Sequence, residues 1–166
     1  MEETSFLIQE LKLQPHPEGG FFSEIYRSHE MIERGSLPKR YTGNRSFSTS
    51  IYFMLLKEQV SLFHCILSDE IWHFYKGSPV IIHCLDKKGY KSVKLGNNLS
   101  NNEKFQFVIK AGTWFAAEVE NKNSFSLVGC TVSPGFDFSD FELARRSKLL
   151  TSFPNLNDLI IRFTKE

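Results

Sequence analysis

No stretch of the 166-residue sequence is apolar for long enough to cross a bilayer. Its longest nearly uninterrupted apolar run, Ile51 to Leu56, matches one buried strand and falls far short of the roughly 20 residues a span requires. Cysteine is scarce: Cys65, Cys84 and Cys130 are odd in number and too widely spaced for a zinc knuckle, and they read as reduced, buried thiols. Neither sign of charge is in excess. Twenty Lys and Arg against 19 Asp and Glu leave +1, which gives no bulk electrostatic pull toward nucleic acid or an anionic membrane, so neither is expected as a partner. The opening Met1-Glu2-Glu3-Thr4 lacks the basic-then-apolar start of a signal peptide, and a soluble, cytoplasmic protein is expected. No repeat of fixed period occurs, and no low-complexity tract beyond the Asn-rich turn Asn97 to Asn102. What is plentiful is ring: 16 Phe and 5 Tyr within a 41% hydrophobic composition can close a sizeable interior, so one globular domain over residues 1–166 is expected.

Residues Ser5 to Leu13 set Phe6, Leu7, Leu11 and Leu13 around one side of a short helix, with Thr4 or Ser5 available as its cap. His16-Pro17-Glu18-Gly19-Gly20, following Pro15, ends it, because proline restricts its predecessor and paired glycines permit dihedrals other residues avoid. Nine strands are expected, at Phe21–Ser28, Ser46–Leu56, Ser61–Ile66, Glu70–Lys76, Val80–Leu85, Tyr90–Leu95, Phe105–Ile109, Thr113–Val119 and Phe125–Val132. Their short spacing, with no helical period between them, marks an all-β antiparallel sandwich or barrel. Asp86 to Gly89 and Glu120 to Ser124 read as hairpin turns, and the long polar connection His29 to Arg45 reads as a functional arm. Beyond Pro134-Gly135 the period becomes helical, over Phe138 to Leu150 and again over Leu156 to Phe163, and these helices are expected to cover one face of the sheets.

The densest polar cluster in an apolar setting runs from Ser61 to Gly77 and carries His64, Glu70 and His73, residue types that bind transition metals or exchange protons near neutral pH. Here the chain resembles the cupin superfamily. Glu70 and Gly77 fit the second half of its first motif. With three residues before the glutamate, His64 takes the first histidine slot and Ile66 the second; with four, Phe63 and Cys65 occupy both. In the second motif Gly112 fits, while Lys110, Phe115 and Val119 replace the proline, histidine and asparagine. More closely, the chain is similar to an uncharacterised cupin branch that carries His-Pro-Glu-Gly-Gly, Ser/Thr-x-Ile-Tyr-Phe, Ser-Asp-Glu-x-Trp-His and Pro-Gly-Phe-Asp-Phe. These stand at His16 to Gly20, Thr49 to Phe53, Ser68 to His73 and Pro134 to Phe138. The resemblance implies a double-stranded β-helix, the cupin jelly roll, with a short N-terminal helix and C-terminal helices. It also implies a homodimer and a likeness in fold to nucleotide-sugar epimerases and seed-storage cupins. Two of the usual four metal ligands being replaced, it implies no bound metal, and no cofactor is expected.

A jelly roll lined with rings leaves a cavity at one end, furnished by inward positions on the motif strands. Alternation sets His64 with Ile66 on one face, and Glu70 with Trp72 and Phe74 on one face, so His64 and Glu70 converge if both faces turn inward. An imidazole beside a carboxylate is oriented and made more basic, which suits abstraction of a proton next to a carbonyl. Tyr52 is the expected acid, Ser50 on the same face is an expected ligand-binding residue, and His73 and Tyr75 fall on the opposite side of their strand. Glu18, Glu24 and Arg27 are expected over the mouth, and Trp72, Phe74 and Phe115 among the ligand-binding rings. Arg34, Lys39, Arg40 and Arg45 make the long loop basic, which suits a phosphate, and Trp114 offers a stacking surface for a sugar or base ring. The expected function is small-molecule binding, with metal-independent epimerisation or isomerisation of a carbohydrate or nucleotide-sugar by His64, Glu70 and Tyr52. The alternative is a non-catalytic ligand-binding cupin. A metal-dependent oxygenase is disfavoured, since His64 and Glu70 offer only two ligands.

Overall fold

The computed structural model describes residues 3–166. Its helices are α1 (Glu3–Glu10), α2 (Arg146–Ser152) and α3 (Asn157–Arg162). The strands are β1 (Gln14–Pro15), β2 (Phe21–Arg27), β3 (Met31–Ile32), β4 (Arg45–Ser46), β5 (Thr49–Leu56), β6 (Val60–Cys65), β7 (Asp69–Gly77), β8 (Val80–Asp86), β9 (Gly89–Leu95), β10 (Gln106–Ile109), β11 (Trp114–Val119), β12 (Phe125–Ser133) and β13 (Glu142–Leu143). A six-stranded sheet in the order β1-β2-β5-β12-β7-β10 faces a five-stranded sheet in the order β13-β6-β11-β8-β9, and β3 pairs with β4 apart from both. Every pairing between these strands is antiparallel, and the architecture is the cupin jelly roll with small helices at either end.

Alternating residues build the interior. From the six-stranded sheet come Phe53, Leu55, Trp72, Val128 and Cys130; from the other come Val80, Ile82, Cys84, Phe115, Ala117 and Val119, all buried in one cluster between the sheets. The intervening residues of β11 and β8, such as Ala116 and Leu85, face outward and are covered by Leu149, Ile160 and Phe163 of the C-terminal segment. Under α1 a third cluster joins Leu7, Ile8 and Leu11 to Leu13, Met54, Phe125 and Leu127.

Several expectations are corrected. The helix expected from Phe138 begins only at Arg146, because residues 138–140 form a single 3-10 turn and Glu142–Leu143 pair with Cys65 and His64 of β6. Backbone pairing with the sheet outweighs the helical spacing there. The strand expected from Ser46 to Leu56 is broken after Ser46, where β4 turns to pair with β3, so the long arm carries its own small ladder. Glu120 to Ser124 is no hairpin turn: it leads from β11 in one sheet to β12 in the other. Asp86 to Gly89 does close a hairpin, with Asp86 Oδ1 accepting from Lys88 N at 2.7 Å.

Candidate functional site

A narrow cleft opens between the sheets at one end. Phe22, Phe53, Trp72, Phe136, Phe138 and Phe141 wall it, and its polar groups are His16, Glu18, Glu24, Arg27, His64 and Glu70, with Thr49 and Cys130. Aromatic walls around a few placed polar groups are the make-up of a small-molecule site.

The floor follows from two local backbone features. The first is the turn at residues 16–20, where Gly19 N donates to His16 O and His16 N donates to Gly20 O, both at 3.0 Å. Gly19 has φ +109°, and a Cβ there would lie 2.2 Å from Val60 O. Only glycine lets this turn press against β6, where Leu62 N donates to Glu18 O at 2.8 Å. Glu18 is thereby carried to the floor rather than the mouth, and is 5% exposed. The second feature is a bulge. β11 pairs Phe115 with His64 but Ala117 with Ser61, so three steps along β6 match two along β11. Ser61 and His64, which strict alternation would put on opposite faces, therefore both reach Glu18.

Ser61 Oγ donates to Glu18 Oε1 at 2.7 Å, and His64 Nε2 lies 3.0 Å from Glu18 Oε2. His64 Nδ1 lies 2.7 Å from Leu62 O, which can only accept, so Nδ1 carries a hydrogen. The second proton is shared between Nε2 and the carboxylate. Burial opposes charge on both partners and is the largest single influence on each. The facing opposite charge and the hydrogen bonds outweigh it, holding His64 above and Glu18 below their ordinary values. Both nitrogens of His64 are thus engaged, and its carboxylate partner is Glu18 rather than Glu70.

Glu70 lines the same cleft from the opposing sheet, so His64 and Glu70 do share one hollow. Among the described residues no hydrogen bond of standard geometry reaches the Glu70 carboxyl, although Cys130 and Trp72 lie close enough to act on it. Burial pushes it up to about 7, with the Glu18 carboxylate adding to the rise and His64 opposing it. Trp72 is clamped edge-on by Phe53 and Phe115, and its indole nitrogen is buried without a partner.

Glu24 grips Arg27 at the mouth through two bonds of 3.0 and 2.7 Å, and Arg27 also donates to Phe136 O at 2.9 Å. Behind the aromatic wall, buried Arg45 donates to Asp140 Oδ2 at 2.6 Å, tying the long arm to the segment that carries Phe136, Phe138 and Phe141. Arg45 is therefore a strut, and Arg40 is spent on Leu67 O; neither lines the cleft, nor do Arg34 and Lys39.

Of the expected ligand-binding and catalytic residues, His64, Glu70, Glu18, Arg27 and Trp72 line the cleft. Tyr52 does not: Ile51 and Phe53 of β5 turn inward, and Tyr52 packs outside with Met54 and edge-on to Tyr75 at 5.9 Å. Ser50 is likewise no part of the lining. Phe115 is fully buried beneath the His64 ring, 4.0 Å from it, and Phe74 packs against the interior; both support the site without lining it. Trp114 faces the C-terminal helices, with Lys148 Nζ over its ring. Sequence reasoning missed His16, whose place in the turn motif was the available signal, and also Thr49, Cys130 and the rings of Phe136, Phe138 and Phe141. The cupin fold raises the question of a metal. Here His64 has no free nitrogen, Phe115 holds hydrocarbon in a ligand slot, and among the described residues no group of three or more His, Cys, Asp or Glu is arranged to hold an ion. The residues present do not fit a resident metal.

The sequence profile of the family described as Cupin superfamily (DUF985) matches residues 5–144. An uncharacterised protein of Saccharomyces cerevisiae is 30% identical over 143 residues, covering 81% of this chain and 71% of that one. A solved protein of Shewanella oneidensis is 34% identical with a TM-score of 0.88, covering 99% of both chains. A hypothetical protein from Leishmania major is 30% identical with a TM-score of 0.86, covering 98% of both. Oxalate decarboxylase from Bacillus subtilis shares the fold alone, at 13% identity and a TM-score of 0.55, over 92% of this chain and 37% of that one. Among the described residues no helix is long and apolar enough to cross a membrane.

Proposed function

For a chain that belongs to the DUF985 family of the cupin superfamily, we propose a small-molecule-binding role in which the cleft moves a proton on a carbonyl-bearing metabolite of the carbohydrate class, as an isomerase or epimerase does. The observation that carries this reading is the Glu70 carboxyl: it stands in an aromatic cleft without a strong protein partner and titrates at about 7. A group half protonated at neutral pH both takes and returns a proton, which is what shifting a hydrogen between two carbons requires. The Glu18–His64 pair beside it is committed to its own hydrogen bonds, so His64 serves as a fixed positive charge and Glu70 takes the role of base. The aromatic walls offer faces for a sugar ring or a flat enediol. Among the described residues Arg27 is the only Arg or Lys in the lining, and it is already held by Glu24, which favours a small sugar over a diphosphate-bearing one.

A panel of aldoses and ketoses incubated with the protein in D₂O tests this by proton NMR. Loss of the signal of the hydrogen next to the carbonyl, on C2 of an aldose or C1 of a ketose, with wild type, abolished in Glu70→Gln, is expected. Binding by thermal shift with no exchange in any sugar would overturn the isomerase and leave a non-catalytic binder, a reading favoured by the engagement of both His64 nitrogens. The family resemblance also carries a homodimer as a proposal; light scattering at micromolar concentration showing a monomer would overturn it.

A further inference from the structure

We propose that His16 is the group that holds the substrate's carbonyl oxygen, as a neutral imidazole donating from Nε2, and that the substrate is therefore an aldehyde or ketone with a transferable hydrogen on the neighbouring carbon. This rests on the isomerase reading above and names the partner that Glu70 needs. His16 lines the cleft beside Glu18. Its Nδ1 accepts from the Glu18 backbone N–H at 3.4 Å and lies 3.5 Å from Glu18 Oε2. These contacts ask for opposite tautomers. Only the first has hydrogen-bond geometry, which leaves the hydrogen on Nε2. Among the described residues Nε2 has no protein partner, and it is not sealed from solvent.

The surroundings fix the ring and its charge. Phe22 and Phe53 meet it edge-on at 4.7 and 6.0 Å, Phe141 at 6.1 Å, and Phe138 stacks at 6.4 Å. Inside this cage burial is the largest influence on the ring and lowers its pKa. Glu18 opposes that, and the positive His64 adds to it. The nearby carboxylate is already neutralised by His64, so the imidazole stays neutral at pH 7 and works as a hydrogen-bond donor of fixed direction.

The step balances with groups on hand. The Glu70 carboxylate takes the hydrogen from the carbon next to the carbonyl, the C–H bond breaks, and an O–H bond forms on Glu70. The electron pair moves onto the carbonyl oxygen, whose negative charge meets the His16 Nε2–H. Return of the proton from Glu70 to the former carbonyl carbon, while the hydroxyl proton on the neighbouring carbon passes to the oxygen held by His16 and leaves a new carbonyl there, completes the isomerisation.

Two measurements test this. In ¹⁵N-histidine-labelled protein at pH 7, His16 is expected as the neutral tautomer with hydrogen on Nε2; a protonated ring or hydrogen on Nδ1 would overturn the proposal. In the D₂O sugar panel, His16→Phe is expected to slow exchange about 10²–10³-fold, with His16→Gln, which keeps a donor, restoring part of it, and with the pH dependence still set by Glu70. His16→Phe exchanging at the wild-type rate would overturn the role of His16 while leaving the isomerase standing. A wild type that exchanges none of the sugars overturns the isomerase, and the catalytic role of His16 with it.

Discussion

Replacing Glu70 by Gln keeps the shape of the protonated acid and removes its ability to ionise. In the folded protein burial raises this carboxyl to about 7 from its ordinary 4.5. The folded state therefore keeps a proton that the unfolded chain releases, and stability falls as pH rises from 4.5 to about 7, then levels off. At about 1.4 kcal/mol per pH unit, that gap costs wild type about 3 kcal/mol above neutrality. Glu18, His64 and Cys130 act on the same carboxyl, His16 shares its cleft, and all four are present in both proteins, so most of their own titration cancels in the comparison. Glu70→Gln should match wild type near pH 4 and exceed it at pH 8, by roughly 6–12 °C in Tm for a domain of this size. Thermal unfolding followed by circular dichroism from pH 4 to 8.5 measures the difference. A gap that does not widen with pH, or a variant less stable than wild type at pH 8, would refute the claim that burial keeps this acid protonated.

Arg45→Met leaves Asp140 buried without its partner and should cost about 3–5 kcal/mol in urea unfolding; an unchanged midpoint would show that the strut carries no load. Gly19→Ala puts a Cβ 2.2 Å from Val60 O at φ +109° and should cost at least about 2 kcal/mol, whereas Gly35→Ala, with nothing within 4 Å, should leave Tm within a degree or so. Burial pushes the Cys65 and Cys84 thiols up to about 11 and Cys130 well above its ordinary value, so a chromogenic disulfide at pH 8 should label the native protein slowly and all three thiols at once in guanidinium; fast native labelling would contradict this.

The antiparallel β architecture was legible because its signal is local and repeated, and the motif resemblance narrowed it to a jelly roll. Strand-length apolar runs such as Val80–Leu85 and Phe125–Val132, separated by turn residues, have few other ways to bury their rings. Expectation fails where a residue has two structural duties. Phe138 and Phe141 carry helical spacing, yet their rings belong to the cleft wall and the backbone beside them pairs with β6. Tyr52 goes outward because Ile51 and Phe53, its neighbours in a strand of nearly unbroken apolar character, claim the inward face, and such a run does not announce its phase.

Residue order alone determined an antiparallel β sandwich or barrel with His64 on one strand and Glu70 and Trp72 on one face of the next, since alternation and turn chemistry act over a few positions, and the motif resemblance narrowed it to the cupin jelly roll. Which carboxylate His64 would meet was decided in three dimensions. Glu18 lies 43 positions from Ser61, and it reaches Ser61 and His64 only because a glycine turn presses on β6 while a bulge in β6 turns both side chains to the same side. A contact made by closing one sheet over another depends on the register of strands far apart in the chain, and that register is set by packing of the whole interior rather than by any local stretch of it.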